Sequence, residues 1–454
     1  MPENLTYYST NRGVSPVSFR EALLAGQAAD RGLFMPTTIP VLSPADLQAL
    51  VGKSYPDIAH AALTRFTAGV IEDGVQRALC TDAYDFDVPI EKATSRHHIM
   101  RLDRGPTASF KDFAARMMAR WMSVLITKGK RDLVILTATS GDTGSAVAHA
   151  YHGLKGVKVV VLFPIDEVSN RQRKQMTTLG GNITTIAVRG QFDDCQAMVK
   201  RAFGDPDIKH IDLSSANSIN IGRLLPQAVY YLYAWLRLAD VKKHEPIIFA
   251  VPSGNFGDMM GAVIACKMGV PIQKLVIATN ANDEVPAFLR TGKYAKIAPS
   301  RVCISNAMNV GHPSNLARLV DAYGGWMDET GALREAPDMA AMRRDLHAVS
   351  ISDEETRTTI KQAFAQHELV LEPHGAVGWA GLLHYIKEEP AAEKMLAVSV
   401  ETAHPAKFPE EIKSLVGVDP PLPKSLEGLE ARQEHFDTFS TDYEQFKRFL
   451  EQNY

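Results

Sequence analysis

The stretch GPTASFKDFAARMMARW, Gly105 to Trp121, sets one lysine at the head of an amphipathic pattern. Apolar residues recur at Phe110, Ala114, Met117, Met118, Trp121 and Leu125, the period of an α-helix. Ser109 followed by Asp112 resembles a capping box, so the helix is expected to begin at Ser109 with Lys111 in its first turn. A cation there opposes the helix macrodipole, at roughly a few tenths of a kcal/mol. Two readings follow. Lys111 is a solvated surface lysine, as most lysines are. Or it is an amine kept neutral so that it can attack a carbonyl and form a Schiff base.

The elements around it suggest where such an amine would stand. LVILTAT (133–139) precedes the helical SAVAHAYHGL, and VKVVVLFP (157–164) precedes a helix near NRQRKQMTTLGG. NITTIAV, FDDCQAMVKRAF, PIIFAVPSG (246–254), DMMGAVIACKMG and KLVIATN (274–280) continue the alternation, and KMLAVSV (394–400) is the last strand. Apolar strands each followed by a helix imply an α/β fold with parallel sheet buried on both faces. Crossovers are then right-handed, and ligands lie at the carboxyl ends of the strands. Residues 1–90 read as a mostly helical unit, in which SFREALLAGQAADRGLFMP and SPADLQALVGKSYPDIAHAALTRF have helical spacing. The core is expected over 91–415 and a helical tail over 416–454, containing STDYEQFKRFLEQ.

Three loops fall where such a sheet places a ligand. In TSGDTGS (139–145), Gly141 and Gly144 permit tight turns, and the amides opening the next helix could hold a carboxylate. In PSGNFGDMMG (252–261), the amides of Gly254, Asn255, Phe256 and Gly257 could cup a phosphate at a helix start. SANSINIGRLLPQ (215–227) offers hydroxyls and amides from Ser215, Asn217, Ser218 and Asn220, then the guanidinium of Arg223. Taken singly, each loop could be an ordinary turn or a helix cap. Neither glycine loop is GxGxxG or a P-loop, which weakens a nucleotide reading. Taken together with Lys111 they suit pyridoxal phosphate, which needs a Schiff-base lysine, a phosphate cup and a partner for its ring nitrogen. Thr402 in ETAHPAKF is the candidate for the third.

The bulk numbers agree with a globular enzyme. The chain has 454 residues, a net charge of -3, 45% hydrophobic and 22% charged residues. No basic tract suggests nucleic acid, and no apolar run is long enough for a membrane span. The amino terminus, MPENLTYYSTNRG, has no apolar signal-peptide core. Cys80, Cys195, Cys266 and Cys303 are far apart and read as reduced thiols of a cytoplasmic protein, with no metal-ligand spacing.

GPTASFKDF, LTATSGDTGSAVAHA, LSSANSINIGRLLPQ, VPSGNFGD, TNANDEVP and TAHPAKF together resemble the segments of the threonine synthases, in that family's order and in the form found in many bacteria and fungi. YYSTNRGVSPVSFREALLAG resembles its extra N-terminal domain. The resemblance spans about residues 5–415 and implies fold type II of the tryptophan-synthase-β group: two open, mainly parallel sheet domains with the cofactor between them, behind the N-terminal domain. It implies a carbon–oxygen lyase that converts O-phospho-L-homoserine and water to L-threonine and phosphate. By similarity Lys111 is the Schiff-base lysine, Gly254 to Gly257 hold the cofactor phosphate, and Thr402 faces the pyridine nitrogen. Ser140, Gly141, Asp142 and Thr143 match the loop that grips the substrate α-carboxylate. Relatives in the wider group carry asparagine in place of Asp142, beside the cofactor's phenolic oxygen. A carboxylate there would repel a phenolate unless a proton is shared, so the role of Asp142 is open.

For the substrate phosphate, Arg223 is the first choice, with Lys407, Arg104, Arg171 and Lys174 behind it. His149, His152, His312 and His374 are expected to pack or hydrogen-bond, and His404 to orient the 402–407 loop. The competing readings are a related dehydratase, a silent relative that binds phosphorylated metabolites, and a nucleotide-binding protein. Oligomeric state is left open, a monomer being allowed.

Overall fold

The computed structural model describes residues 5–126 and 132–454; the first four residues of the polar amino-terminal stretch lie outside the described residues. Two sheets carry the core. One has six strands, in the order Leu346–Ser350, Ile272–Thr279, Ile247–Pro252, Leu396–Glu401, His97–Arg101 and Ile90–Lys92. Its neighbours are parallel, except that the edge strand Ile90–Lys92 runs antiparallel to His97–Arg101. The other has five parallel strands, in the order Asp437–Phe439, Ile183–Val188, Val157–Pro164, Leu133–Ala138 and Leu213–Ser215. Every residue of Ile247–Pro252 and of Leu396–Glu401 is buried, as continuous apolar runs in a sheet covered on both faces should be.

In each sheet the strand order reverses beside a central strand. Leu133–Ala138 has Val157–Pro164 on one side and Leu213–Ser215 on the other; Ile247–Pro252 lies between Ile272–Thr279 and Leu396–Glu401. Chains leaving adjacent strands at such a point diverge and open a crevice. The TSGDTG and SANSIN loops leave the first reversal. The SGNFG loop and Thr402 leave the second.

The N-terminal unit is less helical than its spacing suggests. Thr6–Ser9 pairs antiparallel with Val17–Ser18 and with Phe34–Pro36. The helix Phe19–Ala25 stops at Gly26, whose φ of 74° turns the chain, and a second left-handed residue, Arg31, turns it back toward the sheet. Helices Pro44–Leu50, Tyr55–Thr67 and Asp73–Ala83 follow. This unit packs on the back of the helix Lys111–Leu125. Trp121 donates its indole N–H to Gln76 at 2.8 Å, and Phe113 sits edge-on to Tyr55 and Tyr230 at centroid distances of 5.3 and 5.5 Å. The carboxyl-terminal tail holds the expected helix, Tyr443–Asn453, and also a strand that extends the five-stranded sheet. Leu426 and Leu429 of the tail cover Ala108, beside the lysine helix. No helix among the described residues is long and apolar enough to cross a membrane.

Arg318, on the helix Leu316–Ala322, is fully buried and ties three segments together. Its guanidinium donates to the carbonyls of Phe34, Ser218 and Ile219 and to Asn315 Oδ1, at 2.7–3.2 Å. All five N–H groups are thereby used. Burial still pushes its pKa down, to about 9. Arg318→Met would strand those acceptors in a dry interior, where each unpaired group costs about 1–3 kcal/mol. Urea unfolding is expected to show a loss on the order of 4 kcal/mol; a loss below about 1 kcal/mol would mean the carbonyls find other donors.

Candidate active site

A cleft of about 950 Å³ lies between the two sheets, and Lys111, Thr402, Arg223 and the TSGDTG, SANSIN and SGNFG loops line it. Lys111 is the first residue of its helix. The expected capping box does not form. Ser109 is drawn into a β-bridge with Ala403, its hydroxyl is buried without a partner, and Phe110 is the capping residue. Asp112 instead accepts from the amide and hydroxyl of Thr107 at 2.8 and 2.7 Å, stiffening the turn before the helix. Two backbone bonds set the lysine against the Thr402 loop: Phe110 N–H donates to Thr402 O at 2.8 Å, and His404 N–H to Ala108 O at 3.0 Å. The Lys111 ammonium position lies 4.1 Å from the Phe110 ring centroid.

Lys111 is half-buried and faces the cleft, not the outer surface. Burial lowers its pKa from 10.5 to about 8; Arg223 and Lys407 push the same way, and Asp142 and Asp258 oppose them. The neutral amine is therefore the main form above about pH 8.

The SGNFG loop is built as a cup. The helix Gly257–Lys267 starts after Phe256, which is left-handed at φ 61°. Asn255 holds the loop open from both sides, donating to Ser218 Oγ at 2.6 Å and accepting from Ser314 N–H at 2.7 Å. Asn315 donates to Asn255 O at 3.0 Å, so Arg318 braces this loop at one remove. At Gly254 a Cβ would stand 2.9 Å from Met308 Cα, too close for any other residue without movement. Across the cleft Thr402 donates to Glu372 Oε1 at 3.4 Å. Glu372 also accepts from His374 Nδ1 at 2.5 Å, while His374 Nε2 accepts from Ala307 N–H at 3.0 Å. That pair of bonds fixes His374 as the neutral Nδ1–H tautomer. A lysine amine, an amide cup at a helix head and a hydroxyl thus converge on one crevice, an arrangement that fits pyridoxal phosphate.

In the TSGDTG loop the Thr139 hydroxyl accepts from Gly141 N–H at 2.9 Å and Gly144 N–H at 2.8 Å. Gly141, at φ 132°, turns the chain but does not itself line the cleft; Ser140, Asp142 and Thr143 do. Asp142 Oδ1 accepts from Lys407 Nζ at 2.6 Å and Gln172 Nε2 at 2.9 Å. Burial alone would raise this carboxyl, but Lys407 and Lys111 outweigh it and hold the pKa near 2. Asn217 donates to Ala138 O at 2.8 Å and Ser215 Oγ accepts from Asn217 N–H at 3.2 Å, so both shape the cleft wall. Asn220 is a helix cap, accepting from Gly222 N–H at 2.8 Å, and stays outside the cleft.

Arg223 is buried in the cleft wall, donates to Ala216 O at 2.6 Å and leaves its Nε without a partner among the described residues. Burial draws its pKa down to about 10. The other cations are committed elsewhere. Lys407 pairs with Asp142, Arg104 with Asp103 at 3.3 Å, and Arg171 with Glu430 at 3.1 Å; Lys174 donates to Glu430 O. None of these four lines the cleft. Of the histidines, His312 bonds the Tyr294 hydroxyl at 2.7 Å, and His404 Nδ1 accepts from Ala406 N–H at 3.1 Å, bracing the 402–407 loop.

Sequence reasoning missed Asp258, which lines the cleft one residue beyond the cup. One oxygen accepts from the Tyr230 and Tyr231 hydroxyls, each at 2.5 Å, and the other has no partner among the described residues. Burial raises its pKa to about 6. Its position in GNFGD was the available signal. Glu372 was also missed, and no local pattern announces it.

A family profile described as pyridoxal-phosphate dependent enzyme matches residues 90–400. Profiles for the threonine synthase N terminus and C-terminal region match 6–84 and 375–450. Threonine synthase of Haemophilus influenzae is 36% identical over 449 residues, covering 98% of this chain and 99% of that protein. The chain belongs to the threonine synthase family. The Escherichia coli threonine synthase is 36% identical over 90% of this chain and 91% of its own length. Among solved structures, threonine synthase from Brucella melitensis, described as bound to pyridoxal phosphate, superposes with a TM-score of 0.89 at 33% identity, over 99% of both chains. Threonine deaminase isoform 2 from Solanum lycopersicum, at 18% identity and a TM-score of 0.53, shares the fold alone. The chain is thus a pyridoxal-phosphate dependent enzyme of α/β type.

Two measurements check this geometry. Acylation of Lys111 in the cofactor-free chain, followed by peptide mass spectrometry, is expected to be half-maximal near pH 8; a midpoint near 10.5 would mean a solvated lysine. Gly254→Ala should weaken pyridoxal phosphate binding by about tenfold or more, about 1.4 kcal/mol, and should also lower the melting temperature, because the added methyl meets Met308 Cα at 2.9 Å. Unaltered affinity would place the phosphate away from this loop.

Proposed function

We propose that this threonine synthase converts O-phospho-L-homoserine and water to L-threonine and phosphate, with Lys111 as its mobile base. The observation that carries the reading is Arg223: a buried guanidinium without a carboxylate partner among the described residues, in the same cleft as Lys111 and the phosphate cup. The cleft thus has two places for phosphate, one for the cofactor and one for the substrate. A dehydratase acting on an unphosphorylated amino acid needs only the first.

Lys111, Gly254 to Gly257 and Thr402 would hold the pyridoxal phosphate. The bound cofactor supplies an electrophilic aldehyde and an electron sink for the pair left when a Cα proton departs. The chain's own groups do the rest. The helix head at Asp142 and Thr143, with Ser140, grips the substrate α-carboxylate. Lys111, as a free amine, would take the Cα proton and then one Cβ proton along one face of the substrate. Arg223 holds the γ-phosphate as its bond to Cγ breaks, through charge-assisted hydrogen bonds. A proton delivered to Cγ would complete the methyl group, water would add at Cβ, and Lys111 would return a proton to Cα. Tuning of Lys111 to about pH 8 suits an amine that must both lose and regain a proton near neutrality. The four cysteines are free, which supports a reducing, cytoplasmic setting.

Incubation with phosphohomoserine should release threonine and phosphate; ammonia release instead would favour the dehydratase. Arg223→Ala should cut kcat/KM for phosphohomoserine about ten- to a hundredfold, as expected for a contact of about 1.5–3 kcal/mol. Its reaction with pyridoxal phosphate should be normal. Its preference for phosphohomoserine over an unphosphorylated analogue should collapse; full retention of that preference would assign the phosphate to another cation.

A further inference from the structure

The ion pair between Asp142 and Lys407 is buried on both sides, with the two side chains 4% and 0% exposed. An amide at position 142 would need no cation. A carboxylate there does, because an unpaired buried charge is costly. The pair has a second feature that a merely structural bridge would not require. Lys407 also donates to Thr107 O at 3.0 Å, in the turn that leads into Lys111, and Thr107 is bonded in turn to Asp112. Gln175 donates to the same Thr107 oxygen at 3.0 Å, while Gln172, one turn earlier on that helix, donates to Asp142. Lys407 therefore spans the two walls between which Lys111 stands. Asp142 Oδ1 is saturated by Lys407 and Gln172, and the residue still lines the cleft.

We propose that Lys407 is a positioning residue that, through Asp142, sets the proton affinity of Lys111: the buried pair acts as one neutral unit in which Lys407 withholds the Asp142 charge from the lysine. The other charged groups facing this assembly are Arg223, from the helix Ile221–Leu224, and Asp258, beside the cup; both act on Lys111. Asp112 faces Lys407 from the lysine helix, and His404, on the same loop as Lys407, is held neutral with its pKa near 4 by burial and by Arg104, Arg101 and Lys407. The directions of influence agree with the geometry, Asp142 favouring the Lys111 ammonium and Lys407 the amine.

The signs separate the variants. Lys407→Met removes one cation and frees the Asp142 carboxylate to pair with Lys111, so the acylation midpoint of Lys111 should rise by about one pH unit, slowing labelling at pH 7.5 by about tenfold. Asp142→Asn should lower the midpoint. The double variant should return it to within about half a unit of the parent, because the two losses oppose each other. Lys407→Arg, which keeps the charge, should leave it in place.

The measurement is pH-dependent acetylation of the Lys111 peptide in the full-length, cofactor-free chain, with the pH profile of kcat/KM moving in the same direction in the loaded enzyme. If Lys407→Met does not fold, Asp142→Asn and the double variant decide: a lowered midpoint restored by the second substitution supports the proposal. A midpoint unmoved in both, or moved the same way by both losses, overturns it, since a bridge that only stabilises the fold would change the melting temperature without moving Lys111. The proposal rests on Lys111 being the carbonyl-attacking amine. Borohydride trapping of pyridoxal phosphate on the Lys111 peptide tests that separately, so the two failures are distinguishable.

Discussion

The buried guanidinium of Arg318 is the point on which the site's geometry depends. It spends its donors on backbone carbonyls from the N-terminal unit and the SANSIN loop, and on Asn315, which supports the SGNFG cup. A cation this deep is tolerated because every N–H has an acceptor, although no carboxylate among the described residues bonds to it directly. Asp321 lies near but is engaged by the Tyr8 hydroxyl. The arrangement makes the N-terminal unit part of the active site without lending it a catalytic group. Phe34 contributes only a carbonyl, yet that carbonyl helps hold the guanidinium that braces the SGNFG loop through Asn315.

Around the cleft, the charged groups are buried or half-buried and act on one another. Lys111 loses hydration and is nudged from both sides by a carboxylate and a cation. Among the described residues, nothing bonds to the Arg223 Nε or to one oxygen of Asp258. Asp142 is held ionised by Lys407. In a dry site these groups act on one another far more strongly than at a surface, so the identity of each partner matters more than the number of charges. The charge of Asp142 is matched by Lys407 before any ligand arrives.

Much of this was legible in the residues taken in order. The strand runs ending in TSGDTG and PSGNFG are local signals, because continuous apolar β-branched segments followed by glycine turns can be recognised without knowing their neighbours. The amphipathic helix behind Lys111 follows from its spacing, and the two glycine turns follow from the strand runs that end in them. The short strands Leu213–Ser215 and Asp437–Phe439 were not legible, since three residues have no periodicity to display and pair only because a longer neighbour offers its edge.

Tertiary structure alone decided which cations are free. Lys407 and Asp142 are 265 residues apart, and no property of either motif announces that they meet. Arg223 and Lys407 look equally able to bind a phosphate when read along the chain; only burial and pairing distinguish the unengaged one from the engaged one. Ser109 and Asp112 had the spacing of a cap, but the bridge to Ala403 took the serine and Thr107 took the aspartate. Local sequence sets which conformations and chemistries a residue can support. Desolvation and charge pairing, which decide the protonation state and the task, depend on atoms brought from elsewhere in the chain.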